Sequence, residues 1–140
     1  MHANANLLVH VVWSIASRAV PIQREVDGLL AKLLMARASR LRCRLIAVGI
    51  APDHVHVLAR QAPATSLSTL VQHLKGGGAH DFNELVDDRH RLKWRAGYWA
   101  ETFGPADFTP LVQYVIHQRT RHDDSHPAEQ WKRQPAEGGL

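Results

Sequence analysis

The chain has a single cysteine, Cys43, in 140 residues. An internal disulfide and any cysteine-rich zinc module are therefore excluded, and a metal site would have to draw on histidine, carboxylate or amide ligands. No apolar run reaches membrane-spanning length, and no basic segment followed by an apolar one stands at the N-terminus. A cytoplasmic protein with no membrane partner is the expectation. Lysine is scarce beside arginine, and acidic residues are outnumbered by basic ones: the formal charge is +4 and the isoelectric point about 9.7. That balance suits a polyanionic partner. The hydrophobic fraction of 45% and the charged fraction of 21% are those of a globular protein, and the length fits one domain with a real core.

Two histidines separated by one valine, His54-Val55-His56, lie in an apolar stretch that opens with Pro52-Asp53. On a β-strand, side chains two apart share a face, so both imidazoles project together and Val55 and Val57 go to the other side. Two imidazoles on a rigid strand are half of a metal site, and equally a pattern that ordinary buried strands carry. Asp53 could orient one of them or simply serve the turn. Around this stretch the pattern predicts a first strand over 7–14 carrying a core histidine, His10, then a helix over 21–42 with an apolar stripe from Val26 to Leu41. A strand over 42–50 forms a hairpin with the histidine strand. A second helix over 66–75 is expected to end or break at Gly76-Gly77-Gly78, because three glycines are costly inside a helix, and to resume at 80–86. Arg18, in the loop after the first strand, and Lys75, beside the glycines, are candidate phosphate contacts. A fourth strand is expected over 97–103. Arg91, Lys93 and Arg95 interleave with Trp94, Tyr98 and Trp99 there, a mixture that suits single-stranded nucleic acid, although core packing claims some of those rings. Thr109-Pro110 reads as N-cap and first residue of a helix to about 122, on which Tyr114 and Gln118, four apart, share a face. The polar tail that follows is expected to be poorly ordered, with Trp131 available to dock.

Taken in order, these pieces resemble the small single-tyrosine transposases of the HUH nuclease superfamily, those of insertion sequences and of repetitive-palindrome-associated elements. The resemblance rests on Val48-Gly49-Ile50-Ala51-Pro52-Asp53-His54-Val55-His56, on Leu74-Lys75-Gly76, on Trp94-Arg95-Ala96-Gly97-Tyr98 and on Tyr114-Val115-Ile116-His117-Gln118. One departure is that Gly77, Gly78 and Ala79 stand where small hydroxyl residues are usual. The resemblance implies an α+β, ferredoxin-like antiparallel sheet of four to five strands flanked by helices, occupying residues 1–126, with 127–140 as a polar C-terminal tail. It implies Tyr114 as nucleophile and His54, His56 and Gln118 as ligands of Mg²⁺ or Mn²⁺. Single-stranded DNA bearing a hairpin would be the substrate, a homodimer the assembly, and the bacterial cytoplasm, near the nucleoid, the location. The activity implied is cleavage and rejoining of single-stranded DNA through a 5′-phosphotyrosine. The alternatives are a domesticated hairpin-binding protein and another HUH endonuclease of a repeat-associated element.

Overall fold

In the computed structural model, residues 6–120 and 125–134 are described. Four strands, β1 (Leu8–Ser14), β2 (Arg44–Ile50), β3 (His54–Arg60) and β4 (Trp99–Thr102), form one antiparallel sheet in the order β2-β3-β1-β4. This is the ferredoxin-like order. Helix α1 (Asp27–Arg40) crosses from β1 to β2, and a helical run comprising α2 (Leu67–Gln72) and α3 (Gly78–Leu85) crosses from β3 to β4. Both lie on one face, where Val9, Val11, Trp13, Val55, Val57 and Ala59 of the sheet meet Leu30, Leu34, Leu70, Leu74 and Phe82. The α+β, ferredoxin-like expectation holds, with four strands among the described residues.

The three glycines do not end the second helix. A π-helical turn, His73–Gly77, joins α2 to α3 without leaving helical backbone. Close crossing by α1 accounts for glycine at Gly77 and Gly78, whereas a Cβ on Gly76 would meet nothing. A Cβ on Gly78 would stand 2.8 Å from Leu34 Cδ2, and one on Gly77 2.7 Å from the Arg37 guanidinium. Arg37 then reaches Asp81 through two hydrogen bonds of 2.7 and 2.8 Å, fastening α1 to α3. Packing between helices has overridden local propensity, and the π turn marks where it did so.

Other boundaries shift for identifiable reasons. The first helix starts at Asp27 and not at residue 21, because the Ile22 N–H donates to the Pro52 carbonyl and holds that segment extended against the hairpin turn. Thr109 is not an N-cap: a 3₁₀ turn, Pro105–Asp107, leads directly into α4 (Phe108–Ile116). That helix ends at Ile116, short of 122. Beyond it Arg119 is drawn away to Asp27, with two hydrogen bonds of 2.6 Å, and to the Ile22 carbonyl. The expected polar tail contains a further helix, α5 (Pro127–Lys132), packed against β1 and β4. No described helix is long and apolar enough to cross a membrane.

Candidate functional site

Alternation along β3 sends Val55, Val57 and Ala59 into the main core and His54, His56 and Leu58 to the opposite face. Register places Ser14 opposite His54, Val12 opposite His56 and His10 opposite Leu58. On this second face the sheet is covered by α4 and α5. Helix α4 comes in very close because β2 carries Gly49, the partner of His56: a Cβ there would lie 1.8 Å from the Val115 carbonyl oxygen. This contact seats Tyr114 and Val115 in a small second core with Ala47 and Leu58.

The sequence-selected residues His54, His56, Tyr114 and Gln118 meet here, each at most 5% exposed. Gln118, two residues past the end of α4, donates its amide to the Tyr114 carbonyl at 2.9 Å, which aims its Oε1 at His54 Nε2, 3.1 Å away. His54 Nδ1 donates to Asp53 at 2.6 Å. Of the two roles open to Asp53, the structure shows it holding the imidazole. His10, read as a core histidine, is buried with its Nε2 2.8 Å from His56 Nδ1. It thereby leaves His56 Nε2 turned toward the site.

Glu129 of α5 lay in what was expected to be a loose tail. Its Oε1 accepts from His56 Nε2 at 2.8 Å and from the Tyr114 hydroxyl at 2.6 Å, and lies 3.5 Å from His54 Nε2. Its Oε2 is 3.2 Å from Lys132 Nζ. A local signal was present in His126-Pro127-Ala128-Glu129. The His126 side chain caps the helix by accepting from the Ala128 N–H, proline occupies the first turn, and an acidic residue follows in that turn. His126 also stacks on the Tyr114 ring, with centroids 4.8 Å apart and planes 17° from parallel.

Charge in this cluster is unevenly shared. Burial opposes a proton on His54, but its hydrogen bonds to Asp53 and Glu129 outweigh burial and raise its pKa to about 9. Burial dominates at the other two rings, lowering His56 to about 4 and His10 to about 2. Burial alone would raise Glu129. Hydrogen bonds from His54, His56 and Tyr114 instead hold it far below the usual carboxylate range. At neutral pH these shifts favour an imidazolium at His54 beside the Glu129 carboxylate, with His56 and His10 neutral. A cleft of about 410 Å³, lined in part by Pro21, Asp53, His54, Gln118, Glu129 and Lys132, leads to it from solvent.

The residues selected as phosphate contacts do not converge in the same way. Arg18, Arg91 and Lys93 are exposed. Arg95 is half-buried, stacked on Trp131 at 5.2 Å and donating to the carbonyls of Lys132 and Gln134. Trp131 does dock, as the sequence allowed. Lys75 faces inward. Its ammonium donates to the carbonyls of Arg95 and Gly97 at 2.9 and 2.8 Å, and burial lowers its pKa to about 8. In this structure it shapes the loop before β4 and does not face solvent. Trp94 packs edge-on against Trp13 and donates to the Lys75 carbonyl, so this ring belongs to the core.

Comparison with known proteins agrees with this architecture. The chain is 25% identical over 122 residues to the transposase of insertion sequence element IS200 from Salmonella typhimurium, covering 84% of this chain and 80% of the relative. It is 24% identical over 94 residues to the ISDra2 transposase TnpA of Deinococcus radiodurans, 67% of each chain. Among solved structures, a Deinococcus radiodurans R1 protein assigned as a transposase superposes with a TM-score of 0.63 at 24% identity, covering 86% of this chain and 97% of that one. A REP-associated tyrosine transposase bound to a REP hairpin superposes with a TM-score of 0.58 at 11% identity, covering 84% and 69%. These two likenesses bear on the fold. The family model described as "Transposase IS200 like" matches residues 3–118, which takes in His54, His56, Tyr114 and Gln118 and stops short of α5. With most of its length so matched, the chain belongs to the IS200-like transposase family.

Proposed function

We propose that this protein cleaves and rejoins single-stranded DNA at hairpin-bearing element ends, with Tyr114 as the nucleophile. The observation that carries the reading is the convergence of the Tyr114 hydroxyl with His54, His56 and Gln118 on one buried face of the sheet. The Tyr114 and His56 ring centroids are 5.4 Å apart. Two imidazole nitrogens and an amide oxygen fit a divalent ion, Mg²⁺ or Mn²⁺, which His54, His56 and Gln118 would hold. Bound there, such an ion supplies Lewis-acid polarisation of a phosphate and charge stabilisation for a leaving oxygen.

The remaining work falls to the chain itself. The Tyr114 oxygen forms a bond to phosphorus as the bond from phosphorus to the 3′ oxygen breaks, leaving a 5′-phosphotyrosine and a free 3′-OH. The reverse attack by a 3′-OH rejoins a strand without ATP, because the phosphodiester energy is kept in the adduct. A phenol with a pKa near ~10 is largely protonated at neutral pH, and in the free protein its proton is directed at Glu129. Stacking on His126 and the peptide carbonyl bond to Gln118 hold the Tyr114 ring and its backbone in place. The exposed Arg18, Arg91 and Lys93, with the overall positive charge, supply phosphate attraction. The hairpin seen on the REP-associated relative supports the choice of substrate. A homodimer in the bacterial cytoplasm, near the nucleoid, completes the reading, and sedimentation with and without hairpin DNA measures that assembly.

The test is denaturing electrophoresis of labelled hairpin DNA from the gene's own flanks after incubation with Mg²⁺ or Mn²⁺. Wild type is expected to give a covalent protein–DNA band. Tyr114→Phe should give none while still retarding the hairpin in a native gel, since Tyr98 is not positioned to substitute. A wild type that binds without forming an adduct would convert the reading to a hairpin-binding module. An adduct formed equally by Tyr114→Phe would assign the chemistry to another residue.

A further inference from the structure

We propose that Glu129 is a fourth protein ligand of the divalent ion, so that seating α5 on the sheet and binding the ion are one coupled event. This rests on the metal reading above and adds a residue that lies beyond the matched family region.

The first argument is spacing. Ligands at about 2.0–2.1 Å in an octahedral shell place neighbouring donor atoms about 3 Å apart. The observed separations are 3.1 Å from His54 Nε2 to Gln118 Oε1, 2.8 Å from His56 Nε2 to Glu129 Oε1 and 3.5 Å from His54 Nε2 to Glu129 Oε1. Ligand atoms of His54, His56 and Glu129 all fall within 4.8 Å of one another. The three printed contacts, which link His56, Glu129, His54 and Gln118 in a chain, thus have the length of edges of one coordination shell.

Charge is the second argument. Two neutral imidazoles and an amide offer a hard dication no anionic oxygen, and small hard cations favour carboxylates. Glu129 is 5% exposed, and its two oxygens are divided: Oε2 goes to Lys132, while Oε1 faces the histidines. A monodentate carboxylate is presented to the site and held from behind.

The third argument is the helix itself. Six residues are too few for a helix to be stable alone, so α5 exists only through its contacts. Some of those contacts lie outside the site, Trp131 on Arg95, Arg95 on the Lys132 carbonyl and His126 on Trp99, but the buried polar ones are made in it: Glu129 on His56 and Tyr114, with His126 stacked on Tyr114. A ligand bond from Glu129 would therefore stabilise α5, and loss of the ion would loosen it.

Metal binding to the full-length protein without DNA tests this. Mn²⁺ affinity is read from the free-ion electron paramagnetic resonance signal, and ligand identity from the visible d–d absorption of Co²⁺ at saturation. Glu129→Gln, which preserves shape, should bind Mn²⁺ at least tenfold more weakly, give an altered Co²⁺ band and lose the Mn²⁺-induced hydrogen-exchange protection of residues 128–132. Affinity equal to or above that of wild type would overturn the proposal by making the carboxylate a plug the ion displaces, and so would an unchanged Co²⁺ band. His54→Ala separates the levels. If wild type and His54→Ala both fail to bind Mn²⁺, the metal reading itself falls. If His54→Ala abolishes binding and Glu129→Gln leaves it intact, only the fourth ligand falls.

Discussion

The two faces of the sheet are made from the same strands and solve opposite problems. On the face covered by α1, α2 and α3, Val9, Val11, Val55, Val57 and Ala59 interlock with the helices and ask for no polar partner. Across the same backbone, His10, His54 and His56 are equally buried; both ring nitrogens of His54 and His56, and Nε2 of His10, are tied to a neighbour. Burying a polar group is expensive unless it is hydrogen-bonded. The site face must therefore recruit partners from distant parts of the chain, Gln118 from beyond α4 and Glu129 from α5. An apolar face can be assembled from any side chains of suitable shape. A polar one needs particular groups at particular distances, which is why chemistry concentrates there.

The largest effect on this comparison should come from emptying the apolar face. Phe82→Ala removes a fully buried ring between the helices and the sheet. It should cost about 3–5 kcal/mol in denaturant unfolding. Below the unfolding transition its Mn²⁺ affinity should match that of wild type. A parallel loss of affinity in the folded protein would mean the two faces are not separable.

A smaller energetic effect, with a sharper functional one, is expected where α4 meets the site face. Gly49→Ala drives a methyl group against the Val115 carbonyl, backbone against backbone, so that α4 has to lift away. Overpacking of this kind costs about 1–3 kcal/mol. Because displacement of reacting groups by about 1 Å can cost on the order of 100-fold in rate, the yield of covalent adduct should drop at least tenfold. Wild-type adduct yield from Gly49→Ala would show that α4 is not seated by that contact.

The smallest effect is on pH dependence, and it belongs to the polar face alone. The pKa of His54 is raised from 6.5 to about 9 by its carboxylate partners acting against burial. In the ion-free protein its contribution to holding α5 is fully present below pH 6.5 and fades as pH rises through about 9. Glu129 is held below the carboxylate range, so its own contribution is lost only in strong acid. Hydrogen-exchange protection factors for residues 128–132 should therefore fall as pH rises from about 7 to about 10, across that titration, while those of β1 and α1 stay level. Protection of α5 that is unchanged on the alkaline side would remove His54 from the contacts that seat it.

Within α2–α3 and the tail, local pattern and tertiary outcome diverge instructively. A glycine run is a helix breaker in isolation, yet Gly77 and Gly78 stay helical where they pack under Arg37 and Leu34 of α1, with little room for a Cβ at Gly78. Lys75 beside them looks like a phosphate contact in one dimension and donates to two carbonyls in three. Glu129 lies 73 residues from the histidine it bonds, and nothing in its immediate neighbours states that pairing. His126, Pro127 and Glu129 do carry a helix start, but a helix start says nothing about where the helix docks.

What the sequence by itself determined was everything with a short period. Alternation on β3 put His54 and His56 on one face, a four-residue interval put Tyr114 near Gln118, and apolar stripes marked the helices that cover the sheet. The ordered motifs then pointed to the ferredoxin-like framework. Only the tertiary structure decided that Gly49 would seat α4, that His10 would fix the orientation of His56, and that α5 would bring a carboxylate to Tyr114. Periodicity is a property of neighbouring residues and can be read along the chain. Complementarity between a glycine gap and a helix backbone, or a carboxylate and two imidazoles, exists only after folding has brought distant segments into contact.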